Sequence, residues 1–388
     1  MTSLLIVAIV VLLGVAIWQL TKIFDLTQVG SGPDNYKSQV ANEKDNNVHG
    51  YITFGFLAFI YIFTIYCLVK FGKFPLMSDS ASEHGETVDN LMWISMILIF
   101  FVQILTQFLL HYFAFQARGV KGRKARYFSD NDKLEAAWTI IPTITLTGLI
   151  LYGLFAWNDI MFVNEEEEVI NIEVYAKQFA WDIRYSGTDN TLGKANVRFI
   201  KGVNVVGVDM TDPNAQDDKM AKELHLPVGK KVVLKFRSQD VLHSAYLPHF
   251  RAQMNCVPGM VTQFAFVPTV TTEEMRSRES IVNKVNNINN IRAEKSQKLV
   301  AEGHEALDPY TFDYLLLCNK ICGASHYNMQ LKVVVSTEEE FKAWLKELPT
   351  LADQLAAENG AKEEVGAPAE TEVVTEEVET EAIAQVVK

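Results

Sequence analysis

Cys318, Cys322, His326 and Met329 share one short run, Cys318-Asn319-Lys320-Ile321-Cys322-Gly323-Ala324-Ser325-His326-Tyr327-Asn328-Met329. Thiolate, imidazole and thioether form a soft donor set, and soft donors favour copper over magnesium, calcium or manganese. An apolar run at residues 312–317 leads in, and a β-branched run at 331–335 leads out. Both read as strands, which puts the donors on a loop between strands. A second imidazole, His243, lies upstream in Asp240-Val241-Leu242-His243-Ser244, on a loop after a strand at 231–236.

Plainer readings of the same residues stand beside this one. The four donors are helically spaced and could form one buried helix face, although Gly323 and the flanking strands oppose it. Two cysteines outside the cytoplasm could form a disulfide. Two cysteines and two histidines could hold zinc, which gives no reason for a methionine. A single blue-copper ion needs one cysteine, not two. The whole set suits two copper ions bridged by both thiolates. Each copper takes one histidine, with Met329 and a backbone carbonyl near Lys320 as weak axial contacts. Charge spread over two metals and two sulfurs moves the atoms little when an electron arrives. No position is left for a substrate, so such a site relays electrons.

The elements that must position this site begin with apolar runs. Residues 1–21, 51–69 and 136–157 carry no charged side chain, and 91–117 carries only His111. Each is long enough to cross a hydrocarbon core of about 30 Å, so four transmembrane helices are expected. The first could instead be a cleaved signal, but it lacks a basic start and a small-x-small cleavage site. The loop at 116–133 carries Arg118, Lys121, Arg123, Lys124, Arg126 and Lys133 against two aspartates. The positive-inside rule makes it cytoplasmic, which places everything after Trp157 outside. Counting back, loop 71–90 is outside and loop 22–50 inside.

After the charge run at 165–168 come short alternating segments at 169–175, 197–200, 205–208, 231–236 and 261–266. Turn residues separate them, as an antiparallel sandwich or barrel requires. Residues 271–308 break the pattern with Val282, Val285, Ile288 and Ile291 at helical spacing, and read as a helical insertion. Residues 338–348 read as one amphipathic helix. Beyond Leu351 the chain has ten acids and two lysines and reads as disordered. The formal charge of −12 argues against nucleic acid and suits a basic protein partner. Cys67 lies in an apolar run as a small core residue. No Cys-x-x-Cys-His occurs, so no c-type haem is attached to this chain.

With these residues in view, the chain resembles subunit II of the haem–copper cytochrome c oxidases. That family carries Cys-x-Glu-x-Cys-Gly-x-x-His-x-x-Met, preceded far upstream by Asp-Val-x-His-Ser. The resemblance extends to Glu135-Ala136-Ala137-Trp138-Thr139-Ile140-Ile141-Pro142, to Gln178-Phe179-Ala180-Trp181, and to Phe250-Arg251 with Pro258-Gly259. It covers roughly residues 93–335 without the insertion. It implies a membrane helical hairpin followed by an all-β, cupredoxin-like Greek-key barrel outside the membrane. The domain plan is then an extra helix pair at 1–90, the hairpin at 91–160, the copper A domain at 161–336 and a tail at 337–388. His243, Cys318, Cys322, His326, Met329 and the Lys320 carbonyl would be the copper A ligands. Glu135 stands where the family has an acid at the mouth of a proton channel. An acid at the cytoplasmic end of the fourth helix can also meet water there and collect protons. The plainer role is an acid favouring the helix dipole.

Departures from the family carry expectations too. Lys320 replaces a glutamate that helps hold magnesium at the subunit interface, and an ammonium cannot ligate it, so that site is expected to be lost or rebuilt. Asn255-Cys256-Val257-Pro258-Gly259-Met260 replaces Asp-Ala-x-Pro-Gly-Arg, which removes charges that face the haem subunit. Phe179 replaces the tryptophan that receives the electron. Trp181, two residues on, could line the electron route or be a core aromatic. Asp182 and the acids at 209–218 could attract a basic cytochrome or be ordinary turns. The extra helices and the insertion are expected to touch partner subunits.

The reading is a bacterial plasma-membrane subunit through which electrons enter a terminal oxidase, with its copper domain on the periplasmic side. Cytochrome c, soluble or complex-bound, would reduce the copper pair. The electron would pass to haem in subunit I, where oxygen is reduced and protons are pumped. Rival readings are a quinol oxidase subunit, which lacks the copper ligands, and a membrane-anchored copper-delivery protein, which needs no proton-channel acid. The copper domain of a nitrous oxide reductase would need a propeller.

Overall fold

The structure is a computed structural model that describes residues 2–28, 43–72, 79–162 and 168–366. The acidic stretch at 367–388, most of the charge run at 165–168, and much of loops 22–50 and 71–90 lie outside those residues. Two units are separable, residues 1–76 with 91–151, and residues 77–90 with 152–388.

The first unit is helical. Its elements are α1 (Thr2–Gln28), α2 (Glu43–Phe71), most of α3 (Gly85–Gln116) and most of α4 (Asp132–Met161). Helices α2, α3 and α4 are long and apolar enough to cross a membrane, and α1 has a shorter described apolar window, Ala8–Ile23. Apolar side chains lie exposed all around α4. A helix apolar on every side needs lipid or partner helices around it. Polar groups inside the runs are satisfied locally, as hydrocarbon demands. Thr64 and Thr106 donate to the carbonyls of Ile60 and Val102, one turn back. The Tyr61 hydroxyl reaches from α2 to the Ile104 carbonyl on α3, at 2.7 Å. At the basic loop, Arg118 Nε donates to Asn47 Oδ1 at 2.6 Å. That bond and Asn46 Nδ2 donating to the Gly119 carbonyl tie α2 to the end of α3.

The second unit is a β-sandwich. Its strands are β1 (Val169–Lys177), β2 (Ala180–Tyr185), β3 (Lys219–Ala221), β4 (Leu224–Pro227), β5 (Lys231–Ser238), β6 (His243–Leu247), β7 (Ala252–Cys256), β8 (Thr262–Phe266), β9 (Tyr314–Cys318) and β10 (Gln330–Ser336). One sheet runs β3-β2-β1-β5-β8 and the other β4-β10-β9-β6-β7. The sheets are mixed rather than wholly antiparallel: β1 pairs parallel with β5, and β4 with β10.

Alternation places the core. Ile172, Val174 and Ala176 on β1, Ile183 on β2, Leu234 on β5 and Leu316 on β9 all point between the sheets and are fully buried. Each large apolar side chain so buried contributes roughly 1.5–3 kcal/mol. The outward face of β1 is buried as well. Tyr175 packs with Val206, Val208, Ala215 and Leu351 under the excursion between β2 and β3. That cover takes outward-facing charges out of water, and they survive by pairing. Arg184 bonds Glu173 at 2.7 Å and Asp218 at 2.6 Å, and Arg237 bonds the other oxygen of Glu173 at 2.7 Å.

Two expected strands are absent for the same reason. Residues 197–200 form a 3-10 turn, Val197–Phe199, capped by the Asn196 side chain. Residues 205–208 are held by Asn204, whose side chain bonds both N–H and carbonyl of Val208. Side-chain amides act here beside one isolated antiparallel bridge, Ala195 opposite Val208, which is too short for a ladder. The stretch 271–308 holds α5 (Thr272–Ser277) and α6 (Glu279–Ala301). The expected helix at 338–348 is α7 (Glu338–Glu347), opened by a capping box between Thr337 and Glu340. Disorder beyond Leu351 is overturned over the described part: α8 spans Leu351–Gly366. Leu351 is buried, and its N–H donates to the Asp218 carbonyl, which anchors the start of that helix.

Candidate metal centre

Strand ends, not a free loop, deliver two of the donors. His243 is the first residue of β6 and Cys318 the last of β9; these strands are neighbours, with Ala245 opposite Cys318. Loop placement of both residues is therefore corrected. The chain then turns through Gly323 at φ +141°, and a 3-10 turn, His326–Asn328, returns it to β10. A strand–loop–strand excludes the single helix face.

The donors converge at one end of the sandwich. His243 Nδ1 lies 3.7 Å from Cys318 Sγ, and Cys318 Sγ lies 3.8 Å from Cys322 Sγ. On the far side, Cys322 Sγ lies 3.6 Å from His326 Nδ1 and 3.8 Å from Met329 Sδ. The Lys320 carbonyl oxygen is 3.2 Å from Cys318 Sγ, while the lysine side chain is exposed. His243, Cys322 and Met329 are buried.

These distances decide between the chemistries. A disulfide needs its sulfurs at about 2.05 Å, and all four cysteines are free. A tetrahedral ion with sulfur at about 2.3 Å and imidazole nitrogen at about 2.0 Å would set those atoms about 3.5 Å apart. The observed sulfur–nitrogen separations of 3.7 and 3.6 Å match that on both sides of the sulfur pair. The paired sulfurs sit centrally, with one imidazole beside each, and the thioether and carbonyl fall on opposite cysteines. Burial, then the neighbouring Cys318, pushes the Cys322 thiol up to about 11. Without a cation Cys322 keeps its proton; a bound cation reverses that preference.

Two residues outside the donor set hold the donors. Asp240 Oδ1 bonds His243 Nε2 at 2.8 Å, which turns Nδ1 toward the sulfurs. Burial alone would raise the Asp240 carboxyl, but hydrogen bonds from His243 and from the Gln178 and Val241 N–H groups hold it below its ordinary value. The Asp-x-x-His spacing was a signal for this. Gln178 stood in the Gln178-Phe179-Ala180-Trp181 resemblance without this role: its side-chain amide donates to the Cys322 carbonyl, and its N–H to Asp240 Oδ2 at 2.7 Å.

Trp181 is 5% exposed, edge-on to His243 with ring centroids 6.2 Å apart. Phe179, at 36% exposed, is the ring of that pair at the surface. Asp182 is buried and paired with Lys177 at 2.6 Å. The acids at 209–218 cap turns or enter the buried Arg184 network, as Asp212 does toward Lys194 N–H and Asp218 toward Arg184. Glu135 lies in the first turn of α4, in the other unit, exposed and without a side-chain partner among the described residues.

Two family profiles match the chain: cytochrome c oxidase subunit II, transmembrane domain, over residues 70–155, and the periplasmic domain of the same subunit over 170–274. An alternative cytochrome c oxidase subunit 2 of Bradyrhizobium diazoefficiens is 32% identical over 269 residues, 69% of this chain and 80% of that one. The chain belongs to the cytochrome c oxidase subunit II family. It is thus the subunit of a haem–copper oxidase at which electrons enter, with helices in a membrane and the sandwich as its outer domain. Cytochrome c oxidase subunit 2 of Cereibacter sphaeroides is 22% identical, over 69% of this chain and 78% of that one. The periplasmic domain of subunit II from Bradyrhizobium japonicum, a crystal structure, matches at 20% identity and a TM-score of 0.26, covering 46% of this chain and 91% of that one. The periplasmic-domain match includes His243 and stops before the cysteine loop, so the rest of the donor set stands on geometry.

Proposed function

We propose that this chain holds a dinuclear copper A centre on His243, Cys318, Cys322, His326, Met329 and the Lys320 carbonyl, and accepts electrons there from a c-type cytochrome. The observation that carries this is the 3.8 Å sulfur pair with an imidazole beside each member. A copper pair held by these residues would supply a one-electron carrier. The chain's own residues do the rest. Asp240 orients His243, the buried Met329 closes the inner side, and the sandwich fixes both strand ends, so little rearranges when an electron passes.

At the outer rim Ile321 and Tyr327 stand more than four-fifths exposed, with the exposed Lys320 next to Ile321, and Phe179 packs against Gly323. The donor meets that rim; Trp181 lies beneath it, against His243. Haem in subunit I receives the electron. Glu135 collects protons for that subunit from the cytoplasmic side, and the membrane is the bacterial plasma membrane with the copper domain facing the periplasm. The exposed ammonium of Lys320 excludes magnesium at that position. Metal analysis with spin-resonance spectroscopy of the purified oxidase tests the reading. Two coppers sharing one unpaired electron on this chain are expected; zinc, or a single copper, overturns it.

A further inference from the structure

The donor set has two halves that share no strand. His243 opens β6, whereas Cys322, His326 and Met329 ride on the loop from β9 to β10. A third segment touches both. The turn between β1 and β2 belongs to the opposite sheet, yet Gln178 in it bonds the Cys322 carbonyl through its side chain and Asp240 through its N–H. Asp240 in turn bonds His243. The same turn leans on the loop: a Cβ added at Gly323 would lie 2.9 Å from Gln178 Nε2 and 2.8 Å from Phe179 Cζ.

We propose that Gln178 is a positioning residue, a clasp that crosses from one sheet to the other and holds the cysteine loop and the histidine strand at one fixed separation. This rests on the copper reading above. The side-chain amide matters because the carbonyl it engages belongs to Cys322, whose sulfur faces Cys318, His326 and Met329 alike. Freeing that carbonyl lets the loop half rotate while the histidine half stays tied, because the Gln178 N–H still bonds Asp240.

Gln178→Leu in the intact oxidase removes the amide and keeps the turn. Loss of a supporting hydrogen bond of this kind weakens metal affinity by about 10- to 100-fold. Copper release to a chelator is expected to speed up by a similar factor, with an altered copper hyperfine pattern. Gln178→Asn, one methylene short of the carbonyl, should move both readouts the same way by less, and covers the case in which the leucine variant does not assemble. Gln216→Leu is the control. It deletes an amide that donates to the Met210 carbonyl at 2.8 Å, away from the donors, and should leave release and spectrum unchanged. Wild-type release and spectrum in both Gln178 variants, or equal effects from Gln216→Leu, overturn the clasp while the copper reading stands. A wild-type oxidase with no copper pair on these ligands overturns both.

Discussion

Gly323→Ala tests whether the ligand loop has any slack. The backbone at Gly323 has φ +141°, a region open almost only to glycine, and holding another residue there costs about 1–3 kcal/mol. Crowding adds to this. The new Cβ would sit 2.8–2.9 Å from two atoms of the Phe179 ring and from Gln178 Nε2, closer than side-chain carbons approach without movement. Strain alone corresponds to a shift of about 5- to 150-fold in the population holding the observed geometry. The loop relieves it by rotating, which carries the Cys322 sulfur away from Cys318. Copper content and the spin-resonance spectrum of the intact oxidase are the assay. Gly323→Ala is expected to lose most of its copper or to show the spectrum of a single ion. Gly303→Ala, just after α6, is the control for an equally strained alanine away from the donors: its φ is +83°, and nothing lies within 4 Å of the added Cβ. It should keep copper and spectrum. Adding Phe179→Ala to Gly323→Ala removes the crowded ring and should restore part of the copper, as coupled neighbours do. Full copper and an unchanged spectrum in Gly323→Ala would refute the account of the loop.

Other outcomes follow from single groups. Burial, followed by repulsion from Lys284 and Arg251, lowers His249 to about 4. Its unfolded form binds a proton from about pH 6.5 downward, so this group's contribution is complete above that pH and about 2.5 kcal/mol of it is gone by pH 4.5. His249→Phe, set among Phe312 and Tyr314, should flatten that part of the outer domain's denaturant midpoint against pH; an unchanged slope counts against it. Glu135→Gln should slow oxygen reduction while leaving reduction of the copper pair by donor at its wild-type rate, measured by stopped flow; equal turnover removes Glu135 from proton uptake. Because Ile321 and Tyr327 are exposed and uncharged while Asp182 and Asp218 are paired with Lys177 and Arg184, the donor's association rate should change less than about threefold between low and physiological salt, where steered pairs change by about 10- to 1000-fold. It should fall in Ile321→Ser and Tyr327→Ser, and a steep salt dependence would place docking on charges instead.

The donor set was legible in the sequence because metal chemistry ties function to side-chain type and spacing, and Cys318 to Met329 lie within one turn of chain. The helices were legible because hydrocarbon tolerates few charges over a span. The strands at 197–200 and 205–208 were misread because alternation reports two unlike faces and not a ladder. Here one face meets β1, and one bridge to Ala195 together with asparagine side-chain bonds stands where a ladder would be. His225 shows the converse. It belongs to β4, where it stacks on Trp344 of α7 with centroids 3.8 Å apart, and no local pattern marks a strand whose partner, β10, lies more than a hundred residues on. The role of Gln178 was hidden for a related reason, although its motif was marked: it depends on which sheet crosses toward which.

That crossing also explains how a long helical stretch can lie between the two halves of one metal site. β9 runs from Tyr314 to Cys318, so its last residue is a proposed ligand and its first lies about 13 Å away along the strand. The insertion joins at that first end. Arg276 of α5 bonds the Phe312 carbonyl and Asp313, and Asn289 of α6 exchanges two hydrogen bonds with the Tyr310 backbone. These bonds close the insertion onto its own return before β9 begins. Whatever α6 does, forces on it reach the strand's far end, whereas the sulfurs answer to β6, to the Gly323 turn and to the β1–β2 turn. Sequence distance between His243 and Cys318 therefore says little about their coupling. The antiparallel pairing of β6 with β9 fixes it, and a segment of any length can be spliced in where that pairing has already ended.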